Sequence, residues 1–180
     1  MNVETTYFPW KRALLLSKSG QYDGLCSCSF TKERVNDFYF SDEIGKNSIG
    51  LYSLKKIDVQ KLSQLKNLKV GVVRGYSLED DLKKNKIEFV SSPSELNLLK
   101  MLEMKRIDAI YSFKVVISEL LKTHSFEQVI EYTEISSATY FTCFSKKSKK
   151  SKSLLEVFNK NLKKIKSEKT YEMLLKKYDL

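Results

Sequence analysis

Short apolar runs alternate along the chain with segments whose apolar residues recur every three or four positions, a pattern that predicts strands and helices in turn. Leu68-Lys69-Val70-Gly71-Val72-Val73 is an apolar run stopped by Arg74-Gly75, which suits a buried strand. Ser77-Leu78-Glu79-Asp80 then has the form of a capping box opening a helix. A second helix starts at Ser94-Glu95, with Leu98, Leu99, Met101 and Leu102 on one side. Ile107-Asp108-Ala109-Ile110-Tyr111 reads as another strand, followed by a helix through Val115, Val116, Leu120 and Leu121. Strand–helix alternation of this kind predicts an α/β layer built on a parallel sheet.

Toward the C-terminus, Leu154, Phe158, Leu162 and Ile165 recur at helical spacing, and Tyr171, Leu174, Leu175 and Tyr178 repeat the pattern. Two amphipathic helices packed on a sheet are expected there. The first 55 residues read differently: a helix from Trp10 to Ser17, a strand from Asp23 to Ser29, a short helix opened by Thr31, and an extended aromatic piece, Phe38-Tyr39-Phe40. These few elements cannot enclose a core alone and need the C-terminal helices, or something further, to complete them.

Composition narrows the function classes. With 42% hydrophobic and 12% aromatic residues the 180-residue chain folds, as one domain or two small ones. The formal charge of +10 raises nucleic acid as a partner. Yet the basic residues are almost all lysine, with arginine only at 12, 34, 74 and 106, and the densest stretch, Lys146 to Lys152, holds only Lys and Ser. Base reading leans on arginine, and single-strand binding needs aromatics among the charges, so a solvated lysine surface is the expectation and no nucleic-acid partner. The Lys/Ser run at 145–153 fits a loop before a helix. No apolar run is long enough to cross a membrane, and Met1-Asn2-Val3-Glu4 lacks the basic start and apolar stretch of a signal peptide.

Chemistry-bearing motifs are few. Cys26, Cys28 and Cys143 are odd in number and lack zinc-like spacing; Cys26 and Cys28 would share one face of a strand, so free buried thiols are expected. His124, the sole histidine, sits in Lys-Thr-His-Ser, which reads as an exposed helix end, and nothing pairs it with a nucleophile. There is no phosphate loop or metal motif, so no metal or cofactor and no enzymatic activity is expected.

Several blocks in order do carry a resemblance. Pro9-Trp10-Lys11-Arg12-Ala13-Leu14, Ser19-Gly20-Gln21-Tyr22-Asp23-Gly24, Thr31-Lys32-Glu33-Arg34, Phe40-Ser41, Leu65 to Val72 with Gly75, Leu102 to Ala109, and Phe158-Asn159 to Tyr178 together resemble the bacterial extracellular solute-binding proteins of family 3, the type 2 periplasmic binding proteins of ABC importers for amino acids and similar solutes. The resemblance implies an α/β, two-lobed fold with a hinge of two crossing strands, near Ile49–Leu54 and Ala138–Phe144. Lobe 1 would be residues 1–54 plus 144–180, and lobe 2 residues 55–143. Met1 to Tyr7 looks like the family's second strand, so the first strand and helix, with part of the ligand cleft, would be missing and lobe 1 incomplete. Lys105 also stands where the family's Gly-Arg-x-Asp-Ala pattern has glycine.

The same resemblance assigns a site. Thr31 as a helix N-cap would put Arg34 in the first turn, where the dipole disfavours a cation and a bound anion relieves it; in family members the matching arginine grips the ligand's carboxylate. Ser27 and Ser29 match positions lining that site, and Ser77, beside Tyr76 after the strand ending at Val73, matches a contact from the opposite lobe. Trp10 could reach the cleft, while Tyr111 and Tyr140 read as packing. Phe113 stands where many amino-acid binders hold an acid for the ligand's ammonium, which leaves the solute as a carboxylate that is not necessarily an ordinary amino acid. The function implied is capture of a small carboxylate-bearing solute, periplasmic by resemblance, for the membrane permease of an ABC importer. A transport-independent sensing module is the alternative, with an enzyme on the same fold (dehydratase or lytic glycosidase) behind it. An uncovered edge of the first lobe would favour a homodimer.

Overall fold

The computed structural model describes residues 3–178. One seven-stranded sheet runs through it in the order β1-β7-β3-β6-β4-β5, with β2 also on β7. The strands are β1 (Gly24–Ser29), β2 (Phe38–Phe40), β3 (Gly45–Ser53), β4 (Val70–Val73), β5 (Phe89–Ser92), β6 (Ala109–Phe113) and β7 (Glu131–Ser145). The helices are α1 (Trp10–Lys18), α2 (Leu78–Lys84), α3 (Glu95–Glu103), α4 (Lys114–Thr123), α5 (Ser151–Ser167) and α6 (Lys169–Tyr178).

β4 lies between β5 and β6, parallel to both. The chain leaves β4 for β5 through α2 and returns past β4 to β6 through α3, so the strand order reverses at β4 and a crevice opens beyond its carboxyl end. Alternation sorts the side chains by face. Val70 and Val72 pack with Leu51, Leu78, Leu82 and Tyr111 on the α2 face; Val73, Leu98, Leu99, Ile110 and Ile117 pack beneath α3 and α4 on the other.

β3 and β7 tie the two flanks together. The first part of β7 pairs with the whole of β3, and its last residues pair with β1 on one edge and β2 on the other. Between Ile49 and Gly50 the register with β7 slips by one residue, so Ile135 bulges. Here a Cβ on residue 50 would lie 2.4 Å from the Thr133 carbonyl oxygen and 2.5 Å from the Tyr132 ring, an approach only glycine allows. At the β1 end a smaller core gathers Leu25, Cys28, Phe38 and Cys143 against Trp10, Leu14 and Phe40. Phe158 of α5 closes on Phe144, ring centroids 5.8 Å apart.

Four sequence expectations need correction. Cys28 and Cys143 are not free thiols; they form a disulfide between β1 and β7, with Cα atoms 6.0 Å apart. Cys26 is free and exposed. It does not share a face with Cys28 because Ser27 adopts φ 56°, and three residues of β1 span two of β7 there, which turns the chain between the two cysteines. Thr31 opens only a single turn of 3-10 helix, Arg34–Asn36, although its Oγ1 does accept the Arg34 amide at 3.2 Å. With no α-helix there, the dipole argument for Arg34 lapses. Ser77 makes no capping hydrogen bond for α2. Finally, Val3 to Tyr7 form no strand, and Val3 and Tyr7 are 75% and 91% exposed. They pair with no described strand; Met1 and Asn2, the start of that expected strand, lie outside the described residues.

Candidate functional site

The crevice beyond β4 is where the expected site residues meet. Gly75, at φ 82°, turns the chain from β4 toward α2, and its carbonyl faces back across the sheet toward α1 and the 3-10 turn. Trp10 Nε1 donates to that carbonyl at 2.9 Å, and Arg34 Nη2 donates to it at 3.0 Å. Arg34 Nη1 donates to the Ser29 carbonyl at 2.9 Å, and the guanidinium lies 5.4 Å from the centre of the Trp10 ring. The Trp10 ring meets Tyr76 edge-on at 5.7 Å, and Tyr76 packs on Phe113 at 5.4 Å. The Tyr76 hydroxyl donates to the buried Glu95 carboxylate, and burial, then that negative charge, holds the phenol far above its ordinary pKa.

Arg34 is only 8% exposed and forms no ion pair with any described residue. Neither Glu33 nor Asp37 takes it; Asp37 pairs with Lys18 at 2.8 Å. Burial pulls the Arg34 pKa down, opposed at longer range by Asp80 and Glu33. Arginine is chosen for such places because its charge survives burial. Its two hydrogen bonds to carbonyls supply partial negative charge and leave other N–H groups of the fork uncommitted.

Beside this anchor lies a cavity of about 450 Å³. Ser29, Phe30 and Thr31 close it on one side, and Ser77, Leu78, Asp80, Asp81 and Lys84 of the α2 segment on the other. Ile49, Ala138, Thr139 and Phe141, from β3 and β7, form its back. The structure therefore gathers Trp10, Ser29, Arg34, Tyr76, Ser77 and Phe113 in one region. Ser27 is exposed and does not line the cavity. Asp80, Asp81 and Lys84 are charged lining residues that sequence reading missed, since Glu79-Asp80-Asp81 in a first helical turn followed by lysines looks like ordinary helix-end charge.

A crevice at the strand-order reversal of an open α/β sheet, walled by hydroxyls and flanked by a buried arginine, defines a small-molecule-binding protein. The chain belongs to the bacterial extracellular solute-binding proteins, family 3, whose family model matches residues 1–179. It is 31% identical over 166 residues to a probable histidine-binding protein of Campylobacter jejuni; the match covers 91% of this chain and 64% of that protein, so the chain spans less than two thirds of that relative. Among solved structures it is similar to an ancestral arginine-binding protein bound to glutamine (TM-score 0.84, 22% identity, 97% of this chain and 79% of the other). An amino-acid ABC transporter substrate-binding protein from Streptococcus pneumoniae bound to L-arginine gives 0.81 at 23% identity, over 97% of this chain and 75% of the other. A histidine kinase sensor domain gives 0.84 at 17% identity, over 94% and 75%. These likenesses establish the α/β fold of periplasmic amino-acid-binding proteins.

Proposed function

We propose that this chain captures a small carboxylate-bearing solute, an amino acid or close relative, in the crevice between Arg34 and α2 and presents it to the permease of an ABC importer. The observation that carries this reading is Arg34: a buried guanidinium with no carboxylate partner is costly unless an anion completes it. A ligand carboxylate set against its free N–H groups, with the Ser29 and Ser77 hydroxyls near, does so. Residues 1–54 with 144–180 and residues 55–143 then act as two lobes, β3 and β7 being the strands that cross between them, and binding shifts the chain toward its closed arrangement. The Cys28–Cys143 disulfide agrees with work outside the cytosol, where such bonds persist.

Trp10 is the only tryptophan and touches both Arg34 and Gly75, so its emission reports the site directly. Titration with amino acids and simple carboxylates should change that emission saturably for at least one of them. Arg34→Ala should weaken the binding by about thirtyfold or more, in line with the roughly 2–5 kcal/mol lost when one partner of a buried charge pair is removed. Unchanged affinity in that variant sinks the assignment.

A further inference from the structure

The formal charge of +10 is not spread evenly along the chain. Residues 146–180 hold twelve lysines against four acids, so eight of the ten net charges fall in this last stretch. The fold sets it in the turn after β7 and in α5 and α6. α5 turns Phe158 and Leu162 inward, Phe158 against Phe144 and Leu162 buried. Helical spacing then puts Lys152, Lys160, Lys163 and Lys164 on the opposite side, where all four are exposed. None of the four forms an ion pair with a described residue, and Glu156 is the one acid among them.

Apolar side chains stand out among these charges. Val157, on the outward side of α5 one turn before Lys160, is 43% exposed. Tyr171 fastens the inner side of α6 by donating to the Ile44 carbonyl. On its outer side Met173 is 69% exposed, with Lys169 and Lys177 one turn to either side and Leu174, also exposed, next to it. Water rewards the lysines but not the methionine. A bilayer interface accepts both, the ammonium groups at phosphates and the apolar side chains at the acyl boundary. Nucleic acid would use the lysines alone, and residues 146–180 hold no arginine to read a base. None of these residues lines the cavity, so this face is separate from the solute site. The chain belongs to an extracellular bacterial family, for which the membrane surface is an extended anion within reach.

We infer that the outward faces of α5 and α6 form a docking surface for anionic phospholipid headgroups, with Met173 seated at the acyl boundary. Sedimentation of the full chain with vesicles of phosphatidylglycerol and phosphatidylcholine tests it. The chain should bind these vesicles at low salt, bind pure phosphatidylcholine far more weakly, and let go at about 1 M salt, where screening reaches down to about 3 Å. Lys152→Gln, Lys160→Gln, Lys163→Gln and Lys164→Gln together should weaken binding by about tenfold or more. The same change at Lys55, Lys56, Lys66 and Lys69, equally exposed and equal in charge removed, should leave most of the binding. Met173→Ser should weaken vesicle binding and leave binding to a duplex DNA probe unchanged. Thermal unfolding should show every variant folded, and the salt dependence of the native chain needs no variant. Equal losses from the two lysine sets would mean that net charge alone acts, and would overturn the surface. So would no binding to the anionic vesicles, or full binding by Met173→Ser. Tighter binding to the DNA probe than to the vesicles would overturn it in favour of nucleic acid.

Discussion

Arg34 and Trp10 donate to a single acceptor, the carbonyl of Gly75, at 3.0 and 2.9 Å, and so join the 3-10 turn and α1 to the end of β4. Trp10→Phe keeps the ring that faces Tyr76 and Arg34 but removes the donor. Loss of one such bond should cost about 0.5–1.5 kcal/mol, a fall of roughly 1–6 °C in Tm for a chain of this size. Differential scanning calorimetry measures it; a variant as stable as the native chain would mean that the bond contributes nothing net.

Gly75 itself should tolerate substitution poorly. At φ 82° a side chain is strained, and its Cβ would sit 3.3 Å from the Cβ of Lys11. Left-handed backbone costs a non-glycine residue about 1–2 kcal/mol. Gly75→Ala should therefore lower stability by that amount and also displace the carbonyl that anchors Arg34. Urea unfolding reads the first effect and ligand titration the second.

The disulfide joins residues 115 apart in sequence, closing β1 onto β7. Removing a long-loop disulfide costs about 2–5 kcal/mol, so Cys28→Ala with Cys143→Ala should lose roughly 4–20 °C in Tm. Reductant should lower the Tm of the native chain and leave the double variant unmoved. Equal Tm values for native and double variant under oxidising conditions would refute the stabilising role.

These features mark where sequence reading succeeds and stops. The apolar run through Val70 to Val73, the helices from Ser94 and from Val115, and the amphipathic pair at the C-terminus were legible because their periodicity reports burial directly. Arg34, Ser29, Ser77 and Trp10 stood out through ordered motif blocks; Ser29 and Ser77 line the cavity, and Arg34 and Trp10 hydrogen-bond the Ser29 and Gly75 carbonyls beside it. The cysteine pairing was not, because it depends on β1 lying beside β7 and on the left-handed Ser27, neither of which is a local property. The first half of β7 escaped notice because Glu131, Thr133, Glu134 and Ser136 are polar on a strand that is only partly buried. Asp81 was hidden among helix-start acids and distinguished only by what surrounds it.

Gly50 marks the point where β3 and β7 slip in register. A methyl group there would meet backbone oxygen at 2.4 Å, which no rotamer change relieves. Gly50→Ala should cost more than the roughly 0.4–1 kcal/mol that alanine gains elsewhere by restricting the unfolded chain, giving a net loss of about 1–3 kcal/mol as for other overpacked sites. Equilibrium unfolding in urea tests it, and a stabilised variant would show that the crossing strands adjust freely.

Asp81 makes a prediction with a definite sign. Its ordinary pKa of 3.8 applies to the unfolded chain, and burial raises it in the folded one, with Lys84 and Asp80 on α2 and Tyr111 on β6 as the charged or titratable neighbours. The folded state therefore holds the proton more tightly, so this group's contribution to stability is fully present below pH 3.8 and is lost as pH rises through the folded value. Asp81→Asn removes that loss. The variant should gain stability relative to the native chain as pH rises from about 3.8, and unfold at higher temperature than the ligand-free native protein at pH 7. Other carboxylates titrate in the same range, so the informative quantity is the difference between the two proteins at each pH. A native chain at least as stable as Asp81→Asn at pH 7 would mean that the attraction of Lys84 outweighs the cost of burying the carboxylate.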